Sequence, residues 1–316
     1  MRTAPFVSPR MLSLSLGLAS LAVLVPGLGC AGMRINSARD RVTITENIAY
    51  LADDQPKHRL DLYVPKGARA SAAGAREGRF PVVLFVHGGF WSNQDRRYWQ
   101  AFTGIYGNVG AALAKRGIGV AVMSYRLSPA AGIHDQLADV LAALRWLQGN
   151  VQPLGGDPRV VLAGYSAGGH LVTLLGLDPR YMIGAGIAPA SVRGYVSLSG
   201  VLDVPAMAAQ QDESFNRDVS FPLFGRSAEE QGRLSPSSYV RADAPPLLAF
   251  AAQRDYPFVV SAGRSIATRL QAVGARATFI EVPGIDHSNM ILDIDTERDR
   301  VSDSFAAFVR DVTGSP

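Results

Sequence analysis

A chain of 316 residues, 47% of them apolar, can bury a full hydrophobic core without staples, and its single cysteine excludes a disulfide framework or a cysteine-based metal site. Lysine plus arginine outnumber aspartate plus glutamate by only 31 to 27, no basic run is interleaved with aromatics, and the five histidines show no ligand spacing. A nucleic-acid partner, a metal and any other cofactor are therefore not expected.

The chain opens with Arg2 and Arg10 ahead of the apolar run 11–25, which is short for a membrane span and reads as the core of an export signal. Pro26-Gly27-Leu28-Gly29-Cys30 follows, and a lone cysteine directly after a small residue resembles a bacterial lipoprotein signal. Gly27 departs from the leucine usual in such signals, so cleavage nearby or an uncleaved anchor stays open. The expectation is a signal peptide over 1–30, a lipid anchor to the membrane at Cys30, and one domain over 31–316. Without the leader, which carries two arginines and no acid, the formal charge falls from +4 to +2.

Residues 42–51 and 59–64 predict an antiparallel hairpin, and the alternation Leu60-Asp61-Leu62-Tyr63-Val64 suits a half-exposed edge. Residues 66–79 form an Ala/Gly/Arg-rich stretch expected to be a mobile loop. Beyond it, strand candidates at 82–86, 118–123, 159–164, 193–199, 246–252 and 276–282 alternate with helices near 98–115 and over 135–149, 167–176, 259–273 and 297–311. That alternation predicts an α/β fold, a mainly parallel central sheet with helices on both faces. The long connection 203–244 interrupts it. Met207, Phe215, Phe221, Leu223, Phe224 and Tyr239 give it apolar content, and loops at the carboxyl ends of strands build the pocket in open α/β sheets, so part of 203–244 is expected to be a cap-like insertion over the site.

Gly164-Tyr165-Ser166-Ala167-Gly168 lies between the strand 159–164 and the helix 167–176. With 32 glycines in the chain the bare pattern carries little weight. A strand before it and a helix after it make it a nucleophile elbow, a sharp turn that holds a serine hydroxyl out for attack. Upstream, the strand 82–86 ends in His87-Gly88-Gly89-Phe90-Trp91. Acyl transfer makes a negative oxygen, and backbone N–H groups can hold it. Those of Gly89, Phe90 and Ala167 are the expected oxyanion donors, with Trp91 and Tyr165 as substrate-binding side chains. His87 precedes the nucleophile, whereas the order behind such an elbow is Ser, acid, His, so it reads as a residue that ties the loop down.

HGGFW followed by GYSAGGH resembles the α/β-hydrolase superfamily, in particular its HGGxW esterase branch of feruloyl and acetyl esterase-like, prenylcysteine methylesterase-like and kynurenine formamidase-like proteins. The resemblance covers about residues 42–312 and implies an α/β-hydrolase fold. It prefers Asp255, at the end of 246–252, over Asp203 as the acid of a triad, since related hydrolases carry an aspartate there; many also have His-Gly where this chain has Ala251-Ala252. His287, after the last strand, is the expected general base, with Asp286 outside the triad. His58, His134 and His170 are assigned no catalytic role, and Arg126 is read as structural, pairing with Asp135 or Asp139. The expected function is a serine carboxylesterase acting on a small-molecule ester in the bacterial cell envelope, with Ser166, Asp255 and His287 as its triad. An arylformamidase using the same triad, or a catalytically inactive binding protein, are the alternatives.

Overall fold

The computed structural model describes residues 41–68 and 78–315; the leader, Cys30 and most of the loop 66–79 lie outside the described residues. Among the described residues eight strands form one sheet: β1 (Val42–Ala49), β2 (Arg59–Pro65), β3 (Phe80–Val86), β4 (Gly119–Met123), β5 (Gly156–Tyr165), β6 (Val192–Leu198), β7 (Leu247–Arg254) and β8 (Ala277–Asp286). Their order is β1-β2-β4-β3-β5-β6-β7-β8. β2 is antiparallel to both neighbours and every pairing from β4 to β8 is parallel.

Period-two alternation feeds two cores. Val82, Leu84 and Val86 of β3, with Val160 and Leu162 of β5, pack under the helices Ile133–Asn150 and Ala167–Leu177, and the same core continues through Leu247 and Ala249 of β7 under the helix Pro257–Ala272. Val83 and Phe85, with Val161 and Ala163, face the helices Gly107–Ala114 and Ser302–Thr313 on the other side. Strands buried on both faces read as continuous apolar runs, which is why β3 to β7 stand out in the sequence.

Three expectations need correction. β2 is not an edge: β1 covers it, and Asp61 is buried. The polar position in its alternation is neutralised, since Asp61 accepts from Arg96 Nε at 3.0 Å and Arg97 Nε at 2.7 Å. The helix near 98–115 is broken into Gln100–Thr103 and Gly107–Ala114, because Gly104 and Tyr106 take positive φ (70° and 67°) and end the helical ladder between them. The last helix starts at Ser302, where the Asp299 carboxylate accepts the N–H groups of Val301 and Ser302 at 3.0 Å each.

Candidate active site

Strand β5 ends at Tyr165 and a helix begins at Ala167, with Ser166 at φ 52°, ψ −114° between them. That conformation costs a non-glycine residue about 1–3 kcal/mol and persists only where the surroundings hold it. Here the Ser166 N–H donates to Leu198 O (2.9 Å) and its carbonyl accepts from His170 N (3.1 Å). The flanking glycines are there for space. A Cβ on Gly164 would stand 2.3 Å from Gly168 O, and one on Gly168 would stand 2.1 Å from Val86 O. The elbow is thus pressed against the end of β3, which carries the upstream loop.

Two other strand ends bring up the partners. His287 follows β8 directly, and its Nε2 lies 3.1 Å from Ser166 Oγ. Its Nδ1 lies 2.7 Å from Oδ1 of Asp255, which follows β7. Asp255 also accepts from Tyr256 N at 2.9 Å, Ala252 N at 3.2 Å and Ser199 Oγ at 2.5 Å. Asp203 stands elsewhere: it caps the helix Val204–Gln210 through Ala206 N and accepts from Ser237 Oγ. Asp286 accepts from Asn289 N.

The upstream loop takes positive φ at three consecutive residues, Gly89 (101°), Phe90 (54°) and Trp91 (59°). Successive residues in such conformations turn backbone N–H groups to one side. Among the described residues the N–H groups of Gly89 and Phe90 have no hydrogen-bond acceptor, and that of Ala167 opens a helix, where no intrahelical acceptor exists. His87 Nδ1 donates to Gly88 O at 2.7 Å while its ring stacks on Tyr125 at 4.3 Å, so it ties the loop down. Burial holds the His87 imidazole at about 4, below its ordinary range. The Gly88 N–H donates to Tyr106 Oη at 3.2 Å.

Trp91 is buried and forms a wall. Its Nε1 donates to His170 Nδ1 (3.2 Å), and His170 Nε2 donates in turn to Leu234 O (2.8 Å). That chain fastens the loop to the insertion, and burial pushes the His170 imidazole down to about 4. The insertion folds into short helical pieces from Val204 to Tyr239. Its Met207, Gln211 and Phe215 line the same cavity as Ser166, His287, Phe90 and Trp91. A roomier surface groove beside Tyr181, Arg233 and Tyr239 does not include Ser166. Among the described residues no group of three His, Cys, Asp or Glu could hold a metal ion.

Tyr165 does not line that cavity, contrary to expectation. As the last residue of β5 it follows Val161 and Ala163 to the opposite face of the sheet, where it is buried. Its hydroxyl donates to His287 O at 2.9 Å, so it supports the histidine loop from beneath. Arg126 is engaged as expected. Its guanidinium holds the buried Asp139 (2.7 Å from Nη2), which His58 Nε2 also meets at 3.2 Å. Ser199, Val201 and Val259 escaped the sequence reading, having no motif of their own; the available signal was their position just past β6 and β7, where pocket residues gather.

The chain matches the model of the BD-FAE family over residues 60–270. The chain belongs to the BD-FAE family. The match takes in Ser166 and Asp255, and His287 lies beyond its end. Among curated proteins the chain is 29% identical to an isoprenylcysteine alpha-carbonyl methylesterase of Arabidopsis thaliana, over 76% of this chain and 56% of the relative. It is 32% identical to the esterase LipC of Mycobacterium tuberculosis, over 77% of this chain and 60% of that protein. The chain thus spans little more than half the length of these relatives. Among solved structures, an inhibited esterase B from Lactobacillus rhamnosis superposes with a TM-score of 0.70 at 21% identity, covering 89% of this chain and 93% of that one. An esterase of the archaeon Pyrobaculum calidifontis gives 0.69 at 19%, covering 90% and 92%. Both share the α/β-hydrolase fold with this BD-FAE member.

Proposed function

We propose that the chain is a serine carboxylesterase that hydrolyses a small-molecule ester through an acyl-enzyme. One observation carries the reading: Ser166 Oγ, His287 and Asp255 are linked at 3.1 Å and 2.7 Å, beside backbone N–H groups left without acceptors. Ser166 Oγ attacks the ester carbonyl as its proton passes to His287 Nε2, and the charge forming on the carbonyl oxygen is held by the N–H groups of Gly89, Phe90 and Ala167. Asp255 fixes the imidazole through Nδ1–H and stabilises its charged form. When the C–O bond breaks, His287 returns the proton to the departing alcohol. Water then gives a proton to His287 as it attacks the acyl carbon, and Ser166 recovers that proton as the acid leaves. The names of the curated relatives, a methylesterase and an esterase, support ester chemistry.

Ser166→Ala should lower p-nitrophenyl acetate hydrolysis by about 10⁴-fold or more. Full turnover by that variant would overturn the proposal. Side-by-side rates on an ester and on N-formylkynurenine separate this activity from an arylformamidase. We further propose export and lipid attachment at Cys30, supported by the run 11–25 and the small residue before the cysteine. Metabolic labelling with a fatty-acid analogue should mark the wild type and not Cys30→Ala; an unlabelled wild type contradicts it.

A further inference from the structure

We infer that Tyr106 is a positioning residue for the oxyanion site: its buried hydroxyl clasps both limbs of the loop that presents the N–H groups of Gly89 and Phe90. This rests on Ser166 being the nucleophile and on those N–H groups holding the oxyanion.

Tyr106 precedes the helix Gly107–Ala114 and is fully buried. Its Oη accepts from Gly88 N at 3.2 Å and donates to Gln94 Oε1. Gly88 enters the loop and Gln94 leaves it. A hydroxyl has one proton to give and lone pairs to accept with, so a single group links the two limbs. Both side chains that make the clasp stand on strained backbone, Tyr106 at φ 67° and Gln94 at φ 74°, which persists only where the surroundings hold it. Gln94 O accepts from Lys57 Nζ at 2.9 Å, which fixes that limb from outside. Between the limbs Gly89 O takes the N–H groups of Ser92 (3.2 Å) and Asn93 (2.8 Å), so the turn closes on itself. Burial raises the Tyr106 hydroxyl above its ordinary range, so it keeps the proton it donates.

The clasp acts where small shifts matter. A Cβ on Gly88 would stand 3.2 Å from the Ser166 Cβ and 2.8 Å from the Tyr165 ring, so the Gly88 main chain lies against the elbow. Gly88 has only backbone groups for polar ties. Its carbonyl takes His87 Nδ1 and its N–H takes Tyr106. The next N–H along the chain is that of Gly89. If the Gly88 peptide swings, the donors of Gly89 and Phe90 turn with it, and such donors work only when aimed at the place where the charge forms. Tyr106 does not line the cavity at Ser166, so it acts through the loop and not on the substrate. Its ring lies beside His87 and Tyr165, with centroids 5.6 and 6.4 Å away, and phenylalanine would keep that packing.

The test compares the full-length wild type, Tyr106→Phe, Gln94→Leu and the double variant. Turnover of p-nitrophenyl acetate is read beside inhibition by a trifluoromethyl ketone and by the matching methyl ketone. Ser166 Oγ adds to the trifluoromethyl ketone carbonyl, its proton passes to His287 Nε2, and the carbonyl oxygen becomes the anion. The methyl ketone reports binding without that anion. Tyr106→Phe should lower kcat by about tenfold or more with KM within about twofold, and weaken the trifluoromethyl ketone by the same factor with the methyl ketone unchanged. Gln94→Leu should show the same pattern at about severalfold, and the double variant should be no worse than Tyr106→Phe, because both changes open one clasp. A Tyr106→Phe protein that melts lower but keeps the wild-type kcat and ketone ratio overturns the inference. So does a rise in KM alone, or losses that multiply in the double variant. If Tyr106→Phe does not fold, Gln94→Leu at its partly exposed position decides, and an unchanged ketone ratio there overturns it. Failure of the underlying reading looks different: the wild type then binds both ketones alike, or Ser166→Ala keeps its turnover.

Discussion

The Ser199 hydroxyl donates to Oδ2 of Asp255 at 2.5 Å, while His287 takes Oδ1 at 2.7 Å. Ser199 is fully buried just past β6 and sits at φ 48°, with its N–H held by Phe250 O at 2.8 Å. A strained serine at a position that glycine would occupy freely is kept by its surroundings, and what it delivers is a hydroxyl to the carboxylate. We read Ser199 as a positioning residue acting through Asp255.

Two substitutions separate that role from packing. Ser199→Ala removes the donor and keeps the strain, so it should lower stability by about 1–2 kcal/mol. Ser199→Gly removes the donor and relieves the strain, so it should be the more stable of the two. Both should lower kcat by about tenfold with KM little changed, because the bond shapes the triad and not the substrate contacts. Activity that follows stability instead, with Ser199→Gly near the wild type, would assign Ser199 to packing.

Acid should weaken the fold in a defined window. Burial holds His87 and His170 at about 4, against an ordinary value of 6.5. Between those values the unfolded chain binds protons that the native chain refuses. Their neutral burial is therefore without cost above about pH 6.5, and stability falls as pH drops toward 4, by up to about 1.4 kcal/mol per pH unit for each histidine. Urea midpoints from pH 7 to 4 check this. Glutamine can accept from Trp91 and donate to Leu234 without titrating, so His170→Gln should shallow the slope; an unchanged slope would contradict the account.

Arg126→Met should destabilise the protein and spare the chemistry. The substitution leaves the buried Asp139 with His58 and the backbone N–H of residue 126 (2.9 Å), and removing one partner from a buried ion pair costs about 3–5 kcal/mol, less here because Arg126 is partly exposed. Its kcat/KM on p-nitrophenyl acetate, measured well below the melting temperature, should stay within severalfold of the wild type. A selective rise in KM would give Arg126 a substrate contact that its position does not suggest.

Gly168→Ala tests the packing behind the elbow. Its added carbon would stand 2.1 Å from Val86 O and 2.5 Å from His87 O, both backbone atoms that cannot swing aside. Loss of soluble protein, or a melting temperature lower by about 10 °C or more, is expected. A variant as stable as the wild type would mean that the elbow is looser than these distances require.

The parallel strands were legible because burial on both faces makes them unbroken apolar runs, and the elbow and the upstream loop because glycines mark positions with no room for a Cβ. Asp61 and Tyr165 were misplaced for one reason. Alternation says which residues share a face but not what covers that face, so a buried ion-paired aspartate looked solvated and a tyrosine behind the sheet looked like a pocket residue. Ser199 and Val259 were illegible because their roles come from two strand ends meeting in space, which neither segment announces alone. Of the insertion, the apolar content was readable; that Met207 and Phe215, rather than Phe221, face Ser166 depends on how its short helical pieces turn.

The central claim is that Ser166 is an activated nucleophile, and a fluorophosphonate probe reads this directly. Intact-protein mass should rise by one adduct, peptide mapping should place it on Ser166, and His287→Ala should slow labelling by at least about 100-fold. An unlabelled wild type, or an adduct on any other residue, would contradict the account.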